Sequence, residues 1–368
     1  MRKTAQSPEQ KFFLYVKRAR LFALVVIFLF YLSILYFGIS TIIPSQENDA
    51  DTIARMATSG NEIDQFDGYA AMAYIYGVTN DALRYFMVIL ISLGFFHNSL
   101  KWCRGMISIS IASFLCLSPI LLFLCLFVKD TMYLPFMMAC LFVLTSVRGT
   151  ALSSILSAAL IIIYALVFRQ YFLIVASVFL ILVIFKKVNV PTKFIFVLLV
   201  PVIALMIPKE AYVLLQEQRD IVNYHRIGFA GSGTRTAFLN IMRPDGLYSF
   251  VVNYGYAFAR LNFPIFFGAA GAKETFLMIN VLVYGVLVWI AVRSRDPRIW
   301  RPGLLFLAHV LTLLLFEPDL GSYLRHIGTS LPLLAPALGT IGAAAAIKAK
   351  SGKTEREVPA HRVLAARR

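Results

Sequence analysis

The sequence predicts an all-α fold, a polytopic integral membrane protein of about ten transmembrane helices with one large outer loop. Of the 368 residues, 59% are hydrophobic and the mean hydropathy is +0.75, whereas roughly 45–50% of an average soluble domain is apolar. Apolar stretches of bilayer length recur from residue 21 to residue 347. We therefore expect a single transmembrane domain over 21–347, between basic cytoplasmic tails at 1–20 and 348–368.

The net charge of +16 reflects membrane topology. Lys and Arg concentrate in both tails and in alternate short loops, whereas the remaining loops are acidic or mixed, which is the pattern of the positive-inside rule. Both termini are therefore predicted to be cytoplasmic. Part of the excess positive charge can attract anionic membrane lipid, and no nucleic-acid partner is expected.

The first half of the chain predicts six spans. The first, at 21–43, is too long for a signal-peptide core and should remain as an anchor before an acidic outer loop at 44–83. Residues 150–185 are apolar apart from Arg169 and Gln170. They would form about 54 Å of helix at 1.5 Å per residue, which is too long for one crossing. This stretch should therefore be a hairpin of two spans that turns at Arg169 on the outer side. The other spans are at 84–100, 106–128 and 131–147.

The second half predicts four spans and the large outer loop at 209–274. In that loop an interfacial helix precedes a Gly-Ser-Gly-Thr sequence at 231–234, which lacks the Gly-Lys-Ser/Thr of a phosphate-binding loop and indicates a hinge. The aromatic segment at 247–267 is either an interfacial or re-entrant element or a true span. A true span would reverse the sidedness of everything after it, and the arginines between 293 and 301 argue against that. The four spans are at 193–207, 275–292, 303–316 and 327–347.

Cysteine and histidine usage predicts neither a metal nor a cofactor. The cysteines lie in or beside apolar spans, so we expect no disulfide framework and no thiolate metal site. The sequence shows no metal-ligand spacing of histidines, no Gly-x-Ser-x-Gly elbow and no complete nucleophile triad. The four cysteines are Cys103, Cys116, Cys125 and Cys140.

The best candidate for a functional site is the segment from Glu317 to His326, Glu-Pro-Asp-Leu-Gly-Ser-Tyr-Leu-Arg-His. It places two carboxylates, a guanidinium and an imidazole between two apolar runs, and charged groups at such a border are costly unless they function. A self-paired, salt-bridged turn is the alternative. If the chain is helical from Tyr323 onward, Arg325 and His326 begin the last span, and that helix N-terminus favours anions.

The predicted topology places other charged residues on the same outer face as this segment. An interfacial ion pair or solvated surface arginines would account for each of them singly, but together they suggest a platform for phosphate or an acidic sugar, since guanidinium binds such groups bidentately. The residues of this face are Lys129, Asp130, Arg169, Arg226, Arg235, Arg243, Arg260, Glu317, Asp319, Arg325 and His326.

An outer-face enzyme of a bacterial-type membrane has no nucleotide supply, so group transfer there needs a donor already activated on a lipid. A polyprenyl-diphosphate sugar is such a donor. Arginines can hold its diphosphate leaving group, and a carboxylate or a histidine can act as base on the acceptor hydroxyl.

Four features resemble the Wzy/EpsG-type exopolysaccharide polymerases. They are Lys129-Asp130 beside a span end, Arg148 after the next span, the hairpin with Arg169-Gln170-Tyr171, and Gly-Ser-Tyr-Leu-Arg-His at 321–326. The resemblance covers roughly 128–185 and 316–336. It implies a glycosyltransferase that joins oligosaccharide repeats carried on undecaprenyl diphosphate, at the periplasmic face of a bacterial inner membrane. A flippase and a chain-length regulator would be candidate partner proteins.

The resemblance and the outer-face chemistry together suggest roles for individual residues. Arg169 and Arg325 would hold the diphosphate, and the general base would be one of four side chains. The substrate-binding candidates are Lys129, Arg169, Arg235, Arg243 and Arg325, and the candidate bases are Asp130, Glu317, Asp319 and His326.

Other functions stay open at this stage. A membrane O-acyltransferase that modifies the polysaccharide would also present His and Arg, but would draw its acyl donor from the cytoplasm. A non-enzymatic exporter or flippase would place charges along a path through mid-span, whereas these charges cluster at one face. A ligase would hold the same lipid diphosphate and differ from a polymerase mainly in its acceptor.

Overall fold

The computed structural model describes residues 8–38, 48–59, 68–229, 236–264 and 271–341, and these residues contain helices and turns but no strand. The helices are α1 (Pro8–Phe37), α2 (Asn48–Ser59), α3 (Gly68–Val78), α4 (Asp81–Leu100), α5 (Met106–Pro119), α6 (Lys129–Ser146), α7 (Thr150–Val167), α8 (Phe172–Lys187), α9 (Val190–Met206), α10 (Lys209–Phe229), α11 (Leu247–Asn262), α12 (Ala272–Arg293), α13 (Pro297–Phe316), α14 (Leu320–Thr329) and α15 (Leu331–Ile341).

Six helices of the described chain are long and apolar enough to cross a membrane, and a seventh span results if α9 and α10, which meet at an angle of 91°, count as one. The six are α1, α4, α5 with its π-helical continuation Ile120–Leu124, α7, α12 and α13. The prediction of a helical membrane protein is therefore confirmed. α8 has 16 residues and α6 begins with two charged residues, so neither is counted among the six.

The predicted turn within residues 150–185 is confirmed, and of the two helices that it joins α7 is among the candidate spans. α7 ends at Val167 and α8 begins at Phe172, so the turn contains Arg169. α7 and α8 pack against α6 and α13 to form the centre of the bundle, and most of α13 is buried there. Between membrane helices close van der Waals packing must supply the stability that the hydrophobic effect supplies in water.

Small residues allow α12 and α13 to approach closely. A Cβ added at Gly303 of α13 would lie 2.4 Å from the Cβ of Ala291 in α12, whereas a Cβ added at Gly285, also in α12, would meet no heavy atom within 4 Å. Gly303 therefore sets the separation of these two helices.

We expect Gly303→Ala to lower the free energy of unfolding by about 1–3 kcal/mol, because overpacking forces the backbones apart. Gly285→Ala is the matched control, because it brings the same gain in helix propensity without a clash. Thermal unfolding in detergent, followed by tryptophan fluorescence, measures both variants. Equal melting temperatures for the two variants would contradict this account of the packing.

One end of the bundle is tied together by basic side chains that donate to helix termini. Arg301 of α13 donates to Val147 O at 3.2 Å, just beyond α6, and to Ser153 Oγ at 2.5 Å in α7. Lys186 of α8 donates to Val292 O of α12 at 2.8 Å. These bonds place the starts of α7 and α13 at the same end of the bundle as the ends of α6, α8 and α12. The start of α6, the α7–α8 turn and the end of α13 therefore lie at the opposite end.

Two predicted regions differ from the structure, and a third agrees in part. The outer loop 44–83 contains two helices, α2 and α3. The loop 209–274 begins with α10, where a helix was predicted, and also contains α11. The last predicted span, 327–347, is broken, because α14 ends at Thr329 and α15 opens with a 3₁₀ turn at Leu331–Leu334 before it continues as α-helix to Ile341. Pro332 within that turn has no backbone N–H to donate to a continuous helix.

The aromatic segment is partly described. α11 has 16 residues, packs against α10, α12 and α13 and is not among the candidate spans. Residues 265–267 and the Gly-Ser-Gly-Thr sequence at 231–234 fall outside the described residues.

Candidate functional site

Charged side chains from separate elements meet at the end of the bundle opposite Arg301. We call this group the polar cluster. It draws one residue from α2, two from the start of α6, one from the α7–α8 turn, one from the end of α13 and two from α14. Its members are Asp49, Lys129, Asp130, Arg169, Glu317, Arg325 and His326.

Asp130 is the centre of the polar cluster. Its Oδ1 forms an ion pair with Arg169 Nη1 at 3.0 Å and its Oδ2 accepts from Arg325 Nε at 2.5 Å, while His326 Nε2 lies 3.4 Å from Oδ1. Asp130 is the second residue of α6, where a negative charge is favoured by the helix dipole. Its side chain is only 2% exposed, and a carboxylate so deeply buried is tolerated because two guanidinium groups compensate its charge.

Glu317 and His326 form a second pair. Glu317 is the residue that ends α13, and its Oε1 forms a hydrogen bond with His326 Nδ1. Burial raises the pKa of Glu317, but His326, Ser322 and Arg169 together more than offset this and hold the pKa below its usual value. Glu317 is therefore a carboxylate that fixes the orientation of His326 and leaves Nε2 directed toward Asp130.

Asp49 and Tyr69 cover the cluster from the α2 and α3 side. Asp49 forms an ion pair with Arg325 Nη2 and accepts a hydrogen bond of 2.8 Å from the Tyr69 hydroxyl. Lys129 Nζ lies 3.6 Å from the centre of the Tyr69 ring, within the range of a cation–π interaction. Burial raises the pKa of Asp49, but Arg325 outweighs it and holds the pKa below its usual value.

A further set of polar side chains positions the backbone that carries Glu317. Arg219 of α10 donates to Leu314 O and, at 3.2 Å, to Asn240 Oδ1. Asn223 of α10 donates to Pro318 O at 3.1 Å. Both side chains are buried, so α10 is fastened to the end of α13 on either side of Glu317.

Sequence reasoning identified most of the polar cluster. The structure brings together Lys129, Asp130, Arg169, Glu317, Arg325 and His326, all of which were predicted site residues. The sequence analysis did not predict Asp49, for which the only signal was the general acidity of 44–83. It also missed Arg219 and Asn223, which carry no motif in the sequence.

The remaining candidates lie elsewhere. Asp319 is the N-cap of α14 and accepts from Ser322 N at 2.8 Å, so α14 begins at Leu320 rather than near Tyr323 and its N-terminus already has a carboxylate. Arg243 is exposed and lies in an open groove of about 860 Å³ between α10 and residues 243–245, where Lys209 and Asp245 are paired at 2.7 Å. Arg235 and the side chain of Arg226 fall outside the described residues.

Among the described residues no group of three or more His, Cys, Asp or Glu side chains is arranged to hold a metal ion. The functional groups of the polar cluster are guanidinium groups, an ammonium group and a carboxylate–imidazole pair. Such groups can hold an anion and move a proton. Comparison with known proteins finds no matching family model, no similar curated protein and no similar solved structure.

Proposed function

We propose that the protein is a membrane glycosyltransferase that polymerises oligosaccharide repeats linked to undecaprenyl diphosphate, and that the polar cluster is its active site. One observation carries this proposal. Residues from the two regions of resemblance, 128–185 and 316–336, lie far apart in sequence, yet Asp130, Arg169 and Arg325 share one ion-paired centre with His326 beside it.

The arginines would hold the leaving group. Arg169 and Arg325 each use one nitrogen on Asp130, and a guanidinium has five N–H donors in a fixed fork. Fixed donors beside a buried carboxylate are suited to a diphosphate whose negative charge grows as the glycosidic bond breaks. The shared carboxylate of Asp130 keeps the two guanidinium groups close to one another despite their mutual repulsion.

The geometry favours His326 as the general base. Both oxygens of Asp130 are ion-paired with arginines and Asp319 caps α14, while Glu317 is hydrogen-bonded to His326. His326 Nε2 would remove the proton of the acceptor hydroxyl as its oxygen attacks the anomeric carbon. The bond from that carbon to the diphosphate then breaks, and the diphosphate leaves with the electron pair. Asp130, 3.4 Å from Nε2, would stabilise the imidazolium that results.

The proposal includes a topology of about ten spans with both termini cytoplasmic, in the inner membrane of a bacterium. The end of the bundle opposite the polar cluster carries Arg148, Lys186, Arg298 and Arg301. A basic end of this kind belongs inside by the positive-inside rule, which would place the polar cluster at the periplasmic face, where lipid-linked repeats are available.

The test is the glycan profile of a deletion strain, sized by gel electrophoresis and mass spectrometry and rescued with single variants. Arg325→Lys is expected to leave single repeat units on the lipid, because an ammonium cannot bridge Asp130 and a phosphate as a guanidinium does. Arg298→Lys is the matched control, since Arg298 is exposed at the opposite end, and should restore full-length polymer.

The alternatives give different profiles. Polymer of normal length that lacks one decoration would indicate an acyltransferase, and full-length polymer left on the lipid would indicate a ligase. Full polymer length in the Arg325→Lys strain would overturn the assignment of the site.

A further inference from the structure

α2 and α3 lie over the polar cluster, and Asp49 of α2 occupies a position that an anionic ligand could take. We propose that α2 and α3 form a lid, and that Asp49 competes with a substrate phosphate for Arg325. This inference rests on the proposed function, because it concerns access of the lipid diphosphate to the same site. It assigns to Asp49 the role of an internal competitor.

The ion pairs of Arg325 distinguish a permanent partner from an exchangeable one. Arg325 Nε is paired with Asp130, whereas Nη2 is paired with Asp49. Exposure of the side chains increases outward, from 2% for Asp130 to 16% for Arg325 and 25% for Asp49. Asp130 belongs to a central helix of the bundle, so Asp49 is the partner that a ligand arriving from outside would replace.

A phosphate oxygen can take the place of a carboxylate oxygen on a guanidinium, because both accept the same charge-assisted hydrogen bonds. Without Asp49, the cations Lys129, Arg169 and Arg325 face only two carboxylates, those of Asp130 and Glu317. With Asp49, three carboxylates face the three cations. The lid therefore neutralises a positive charge that the bound diphosphate would otherwise neutralise.

The lid rests on the groups that surround the proposed diphosphate position. A Cβ added at Gly68, the first residue of α3, would lie 2.0 Å from Phe168 O, so the backbone of α3 touches the α7–α8 turn beside Arg169. The next residue, Tyr69, covers Lys129 Nζ and donates to Asp49. Movement of α2 and α3 would thus release Lys129 and Arg325 together.

α2 also supplies a matched control. Ile53 is fully buried and holds one face of α2 against the protein, whereas Asp51 is exposed on the other side of the same helix. Asp49→Asn and Asp51→Asn remove the same charge from the same helix. Only the first removes the competitor, and Arg325 keeps Asp130 as a partner in both variants, so both should fold.

The first experiment measures binding of inorganic pyrophosphate to the purified full-length protein in detergent by calorimetry. A closed lid reduces the observed affinity by the fraction of protein that is open. We expect Asp49→Asn to bind pyrophosphate at least about tenfold more tightly than the wild type, and Asp51→Asn to match the wild type. Equal affinities in the two variants, or no binding by either, would overturn the proposal.

The second experiment follows the lid itself. The four native cysteines are buried, so a cysteine placed at the exposed position 51 can carry an environment-sensitive fluorophore. Pyrophosphate should change its emission in the Asp51→Cys protein, and an unchanged emission at saturating pyrophosphate would overturn a moving lid.

The two proposals can fail separately. If the protein transfers no sugar but Asp49→Asn still tightens pyrophosphate binding, the glycosyltransferase proposal is wrong and the lid proposal is supported. If sugar transfer is demonstrated and Asp49→Asn leaves pyrophosphate affinity unchanged, the lid alone fails.

Discussion

Replacement of His326 by Gln should reduce glycosyl transfer about 10²- to 10⁴-fold, the usual contribution of a positioned general base. The Gln amide can still donate to Glu317, so that buried carboxylate keeps a hydrogen-bond partner and the protein should fold. Gln cannot accept the proton of the acceptor hydroxyl. The measurement is the rate at which proteoliposomes join two lipid-linked repeats in a single turnover.

His97→Gln is the control for this loss. His97 is exposed near the end of α4 and lies away from the polar cluster. It is close to Lys101, whose carbonyl oxygen accepts a hydrogen bond from Arg20. This variant should transfer at the wild-type rate. A His326→Gln protein that also transfers at the wild-type rate would exclude His326 as the base and return the role to one of the carboxylates.

Asp130→Asn is expected to cause the largest loss of stability of any single substitution in the polar cluster, about 3–5 kcal/mol in the free energy of unfolding. The asparagine has nearly the same shape, but it leaves buried Arg169 without its paired carboxylate and leaves Arg325 with Asp49 alone. Denaturant unfolding in detergent measures the loss.

Two comparisons show whether the loss comes from uncompensated charge. Asp81→Asn removes a carboxylate that is 80% exposed and paired with Arg84, and an exposed pair contributes about 0–1 kcal/mol. A triple variant with Leu at 130 and Met at 169 and 325 should regain much of the lost stability, because a buried ion network can often be replaced by apolar groups of similar size. It should remain inactive. Wild-type stability of Asp130→Asn would show that the ion pairs are not structural.

Local sequence properties explain what could be predicted. Hydropathy over a helix length locates the apolar helices, and the length of 150–185 requires a turn, which the structure places at 168–171. Charges at the predicted outer ends of spans are brought together by topology alone, which is why Lys129, Asp130 and Arg169 were identified with the segment Glu317 to His326.

Other parts of the site depend on tertiary contacts that no local pattern records. α2 and α3 lie in a segment between spans, and no local pattern in the sequence marks Asp49 as the residue that pairs with Arg325. The Asp319 cap could have been predicted, because Asp is one of the residues strongly preferred at the N-cap of a helix. The break after Thr329 was missed because 327–347 is apolar on average and was therefore counted as one span despite Pro332.

The ion pairs of Arg325 also constrain the order in which the chain can be assembled. Arg325 lies 276 residues after Asp49 and 195 residues after Asp130, so neither pair can form until α14 has been synthesised. A nascent chain that has not yet reached α14 holds Asp130 with Arg169 and leaves Asp49 without Arg325. Closure of the polar cluster is therefore a late step in the folding of the protein. An immature chain released before that step would expose unpaired charge at the membrane border. Quality-control proteases can distinguish such a chain from the finished protein.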